Sequence, residues 1–161
     1  MATWGASEIV RGSAPHTYRR NTPSRLRKNG VGRTVVEGLF GKLASKKLTI
    51  EWVWTLYCRG SAFTAGESWL SATLDGKPIL AFVPVEGIFH FNKKIYFLLQ
   101  LYVTASTDEY GLLTLKVPSG YKPCERIVHV DSAMLQDLVP LSPALRTVRG
   151  HTTNYRFVPL L

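Results

Sequence analysis

Leu48 to Tyr57 alternates strictly, with Leu48, Ile50, Trp52, Trp54 and Leu56 on one side and Thr49, Glu51, Val53, Thr55 and Tyr57 on the other. A period of two marks a half-buried strand. Two tryptophans on its inner face make it an expected core anchor. Shorter runs at Ile79–Val83, Ile88–Phe91, Lys94–Ala105, Leu112–Val117, Arg126–Val130 and Tyr155–Val158 read as further strands. Lys94–Ala105 and Leu112–Val117 are expected to pair through a turn at 107–111.

Two stretches carry helical signals. Thr64 and Glu67 have capping-box spacing, Phe63 precedes them as a staple, and Trp69, Leu70 and Leu74 follow as an apolar stripe. This predicts a helix over 65–74. The rival reading is a strand over 69–75 that turns at Asp75-Gly76, a hairpin dipeptide, into Ile79–Val83. Farther on, Asp131 or Ser132 caps a second expected helix that runs to about Val139, where Pro140 stops it. A third amphipathic segment spans 35–47. Val36, Leu39, Phe40 and Leu43 sit at helical spacing, with Lys42, Lys46 and Lys47 around and after them. It reads as a short helix packed on the body, or as an interfacial helix with Leu39, Phe40 and Leu43 toward lipid and the lysines toward headgroups. Gly38 and Gly41 weaken such a helix in isolation.

The expected fold class is therefore α+β: a strand-rich single domain with a few short helices and a flexible basic N-terminal arm. Its divisions are an arm over 1–34, an amphipathic connection over 35–47 and a compact body over 48–161. A length of 161 residues suits one core better than two.

Charge sharpens this division. The chain has 20 Lys and Arg against 11 Asp and Glu, a net +9. Residues 1–47 hold ten bases and two acids, a net +8, while residues 48–161 hold ten bases and nine acids. Between Arg11 and Arg33 stand Arg11, Arg19, Arg20, Arg25, Arg27, Lys28 and Arg33 with no acid among them. Few apolar residues accompany them, so this stretch is expected to stay mobile when alone. These seven side chains are the candidate contacts to nucleic acid or another anionic surface. Arginine predominates, and its guanidinium binds phosphate bidentately and stacks on bases, which favours nucleic acid. His16 and Tyr18 are candidates for added stacking. No RNA-recognition motif is present, so sequence-independent binding is expected.

Other chemistry is sparse. The longest apolar stretch, Ile95 to Val103, is interrupted by Gln100 and is too short to span a bilayer. No secretory leader is expected. Cys58 and Cys124 are the only cysteines and are expected as reduced thiols. The histidines at 16, 90, 129 and 151 have no partners at ligand spacing, so no metal site and no cofactor are expected. His129, Asp131 and Ser132 are close in sequence and read as a local capping turn rather than a triad. Phosphate-cradling and nucleophile-elbow motifs are missing, and an enzyme is not expected.

The order of features resembles that of rhabdovirus-type matrix proteins: a basic stretch (Arg11–Arg33), a hydrophobic strand (Leu48–Tyr57), a turn with a phenylalanine (Ser61-Ala62-Phe63) and a short helix (Ala65–Leu74). Their Pro-Pro-x-Tyr signal is absent, and only Pro15-His-Thr-Tyr18 echoes it. The resemblance implies a non-enzymatic viral assembly protein of the virion and host cytoplasm. Such a protein bridges a nucleocapsid and the inner face of an anionic membrane, and it self-associates. The alternatives are a small viral coat protein with an RNA-binding arm, or an accessory RNA-binding protein. Six or seven strands in the body are tight for an eight-stranded jelly roll, which ranks the coat protein second. Deleting residues 1–33 is expected to abolish binding and leave the body folded.

Overall fold

A computed structural model describes residues 9–11, 16–20, 24–25, 38, 49–91, 93–102 and 105–160. The elements of these residues are strands: β1 (Ile9–Arg11), β2 (Thr17–Arg20), β3 (Ser24–Arg25), β4 (Thr49–Cys58), β5 (Ser61–Thr64), β6 (Trp69–Leu74) and β7 (Lys77–Phe82). They continue as β8 (Ile88–Phe91), β9 (Lys94–Tyr102), β10 (Ala105–Thr107), β11 (Leu113–Pro118), β12 (Cys124–His129), β13 (Leu135–Arg149) and β14 (Thr152–Pro159). The fold is mostly β, one antiparallel network, which corrects the α+β expectation.

The network forks at β9. One edge of β9 pairs with β12 across Tyr96–Leu101. Its other edge pairs with β8 up to Phe97 and with β7 from Gln100 onward. One branch runs β8-β4-β2-β1, the other β7-β6-β13-β14-β11-β10. The main core fills the space between the branches. It takes Tyr18, Val53, Leu56 and Cys58 from the first branch, Leu70, Ala81 and Leu135 from the second, and Phe97 and Leu99 from the shared strand.

The helix expected over 65–74 is a turn followed by β6. A tight turn closes at Thr64, with Ser68 N donating to Thr64 O and Thr64 N to Ser68 Oγ, but Thr64 Oγ1 pairs with Thr55 Oγ1 rather than capping a helix, and the chain then extends. Strand β6 is central, and Trp69 and Leu70 bury on opposite faces, so its apolar residues do not alternate with polar ones. The rival hairpin is the one observed: Leu74 pairs with Lys77 across Asp75 and Gly76, both at positive φ (56° and 77°). That is the backbone a two-residue primed turn requires, and Asp-Gly supplies it.

The helix expected from Ser132 to Val139 is the start of β13. A bulge between Gln136 and Val139, with Asp137 at φ 54°, spaces Leu135, Leu138 and Val139 like a helix. Pro140 does not stop the element. A strand residue's N–H and C=O point to the same side, and Pro140 O accepts from Leu160 N at 2.8 Å, just past the end of β14. Its missing N–H therefore falls where the ladder ends. The expected strand at 94–105 divides into β9 and β10; the short β10 forms the hairpin with β11 across the 107–111 turn, whereas β9 pairs with β12, β8 and β7, which corrects the expected pairing of 94–105 with 112–117.

In β4 the alternation slips. Arg19 pairs with Thr55 while Arg20 pairs with Val53, leaving Trp54 as an extra residue. Past this bulge the faces exchange, so Val53, Leu56 and Cys58 share the main core while Ile50 packs with Phe89 and Trp52 on the other side.

Candidate functional site

Of the seven basic candidates, Arg11 ends β1, Arg19 and Arg20 lie in β2, and Arg25 lies in β3. Strands β2 and β3 line the same edge of β4. Arg27, Lys28 and Arg33 lie outside the described residues, as do Leu39, Phe40, Lys42, Leu43, Lys46 and Lys47 of the amphipathic segment. Tyr18 faces the core, which sends Arg19 to the opposite face of β2.

His16 and Tyr18 are not available for stacking on bases. Each is 2% exposed. Tyr18 stacks on His90 with centroids 5.6 Å apart. His16 Nε2 pairs with Asp131 Oδ1 in the loop between β12 and β13. That loop is the local turn expected from sequence, closed by Ser132 N donating to His129 O and Met134 N to Ser132 Oγ. Sequence spacing gave no sign that His16 joins it, because the partners are 115 residues apart.

A third segment clamps the same loop. The turn between β4 and β5 is built from Arg59 and Gly60, at φ 50° and 77°. From it the Arg59 guanidinium donates to Leu135 O at 2.9 Å and Val130 O at 3.0 Å. Beside the turn is an open depression lined by Thr17, Tyr57, Cys58, Arg59, Ser61 and Ala62.

The chemistry of this cluster is that of a joint. Burial pushes the Cys58 thiol up to about 11, with Arg59 lowering it and Asp131 raising it. At neutral pH it is a thiol, not a thiolate nucleophile. Burial holds His129 below its ordinary value, against the attraction of Asp131 and together with repulsion from Lys94 and His16. Among the described residues no group of three His, Cys, Asp or Glu side chains is placed to hold a metal ion.

No family model, curated protein or solved structure matches this chain.

Trp69 organises a second centre. Its ring lies 4.9–5.3 Å from those of Phe82, Tyr102, Tyr155 and Phe157. Leu80, Leu115 and Leu141 are buried around it. Strands β11 and β14 thus have one face fixed on an aromatic core and the other turned outward, while β13 joins that core only through Val139 and Leu141 and is exposed from Pro143 to Arg149.

Proposed function

We propose that the protein is a non-enzymatic viral structural protein that grips nucleic acid through its basic N-terminal third and self-associates through its β body. The observation that carries this reading is the distribution of charge, +8 in residues 1–47 against +1 in the remainder. Such an excess neutralises phosphates and releases their counterions. Strands β2 and β3 add to it, because they hold Arg19, Arg20 and Arg25 along one border of β4.

Between a matrix-like bridge and a coat protein, the strand count no longer weighs against the coat, since β4–β14 supply eleven strands where six or seven were expected. One element of the matrix-like pattern, the helix after Phe63, is instead β6. The membrane half of the bridge rests on the pattern of Leu39, Phe40, Lys42, Leu43, Lys46 and Lys47.

The test is RNA binding by the full chain and by a variant with Arg11, Arg19, Arg20, Arg25, Arg27, Lys28 and Arg33 changed to Gln. Seven phosphate contacts give the wild type a log–log salt slope of roughly −5 to −6. The variant is expected to lose most binding. A flat salt response in the wild type, or full binding by the variant, contradicts the reading. Flotation of the full chain with anionic liposomes tests the membrane half.

A further inference from the structure

We propose that the outward face of the β11–β14–β13 sheet is a second nucleic-acid surface, on which Arg156, Lys116 and Arg149 contact a single strand. The proposal rests on the nucleic-acid reading above and assigns it a second, folded site.

The register defines the face. Thr114 pairs with Arg156 and Arg156 with Leu145; Lys116 pairs with Asn154 and Asn154 with Thr147; Pro118 pairs with Thr152 and Thr152 with Arg149. These three rows alternate with those of Leu115, Tyr155 and Val117, which pack toward Trp69. Each outward row therefore carries one cation. Neighbouring rows are two residues apart, about 6.7 Å along the strands. The three cations also stand on three different strands, Arg156 on β14, Lys116 on β11 and Arg149 on β13, so they spread over the face rather than stand in one file.

Charge complementarity favours a polyanion. Residues 112–124 and 138–161 contain no Asp or Glu. Asp108 in the β10–β11 turn lies against the first row, its Oδ2 3.0 Å from Arg156 Nε. The uncharged members Thr114, Thr147, Thr152 and Asn154 are short hydrogen-bonding side chains, suited to phosphate and sugar oxygens. Tyr110, in the turn beyond the first row, is 74% exposed and offers a ring for a base. Leu145 and Pro118 are the face's apolar members. That is little for insertion into lipid.

The design is preorganised in part. Behind β11 and β14 the opposite face packs on the Trp69 cluster through Leu115, Val117, Tyr155 and Phe157, so binding there orders few new residues, whereas β13 from Pro143 to Arg149 is exposed on both faces. Nothing in the nearly balanced total of the body, ten bases and nine acids, revealed this face. It emerges from the cross-strand register, which gathers bases from three strands and leaves acids elsewhere.

The test measures binding of labelled oligouridylate to the full chain, to Lys116→Gln/Arg149→Gln/Arg156→Gln, to Asp108→Asn and to the seven-position arm variant. The triple variant is expected to bind roughly tenfold more weakly, with its salt slope reduced in magnitude by about 2. Asp108→Asn keeps the oxygen that accepts from Tyr110 N and Leu112 N, and it is expected to bind more tightly because Arg156 is released. If the triple variant melts early, Arg149→Glu alone, at an exposed position, is expected to weaken binding and reduce the slope by about 1. Unchanged affinity and slope in these variants, with binding lost in the arm variant, overturns this proposal and leaves the arm reading standing. No binding by the wild type overturns both. Loss of flotation with anionic liposomes, without loss of RNA binding, overturns it in favour of a lipid surface.

Discussion

His16 Nε2 hydrogen-bonds Asp131 Oδ1, and the two residues are 115 apart in the chain. The start of β2 is thereby locked to the loop that joins β12 to β13. Two residues on, Tyr18 enters the main core. The basic segment is thus fastened to the body at its centre.

Truncation is the first consequence. Deleting residues 1–33 removes Tyr18 from the core and His16 from Asp131, so the body is expected to lose stability where the sequence alone suggested tolerance. Loss of a buried aromatic costs about 3 kcal/mol or more. A lowered urea midpoint for the truncated chain, beside a near-unchanged midpoint for deletion of residues 1–8, is the expected result.

Acid should weaken the fold through His129. Burial keeps its folded pKa below the ordinary 6.5. Above that value both states are neutral and the residue contributes no pH dependence. As pH falls through 6.5 the unfolded chain takes up the proton first, so stability is lost. Melting temperatures of wild type and His129→Gln, compared between pH 7.5 and 5, should show the wild type losing more.

The two thiols should separate cleanly. Cys58 is buried and its thiol is pushed up to about 11, whereas Cys124 is exposed. Titration of the native protein with a thiol reagent at pH 8 should modify Cys124 alone, and both after denaturation. Rapid native reaction at Cys58 contradicts the buried joint.

Trp69→Ala empties the second centre. Four aromatic rings lose their common neighbour, at a cost of about 3–5 kcal/mol. Calorimetry and near-ultraviolet circular dichroism report it. A small loss with unchanged aromatic signal contradicts the cluster.

What was legible in the sequence was local. The strand at 48–57, the Asp75-Gly76 turn and the short hairpin around 107–111 all depend on neighbouring residues, and the structure has them, although the alternation of 48–57 slips at Trp54. The two helices failed for a shared reason. Strand β6 is covered on both faces, and β13 is interrupted by a bulge at Asp137, so neither displays a period of two. The arginines of the N-terminal third were visible as composition. The common face of Arg156, Lys116 and Arg149 was not, because it depends on which strands lie side by side.

The lock between His16 and Asp131 also sets an order of events at the ribosome. At about 5–20 residues per second, the 115 residues between them take roughly 6–23 s to translate. Throughout that interval β2 lacks its distal partner. A nascent chain therefore emerges with its arginine-bearing strand unfastened, and that strand stays so until the carboxyl-terminal half has been made.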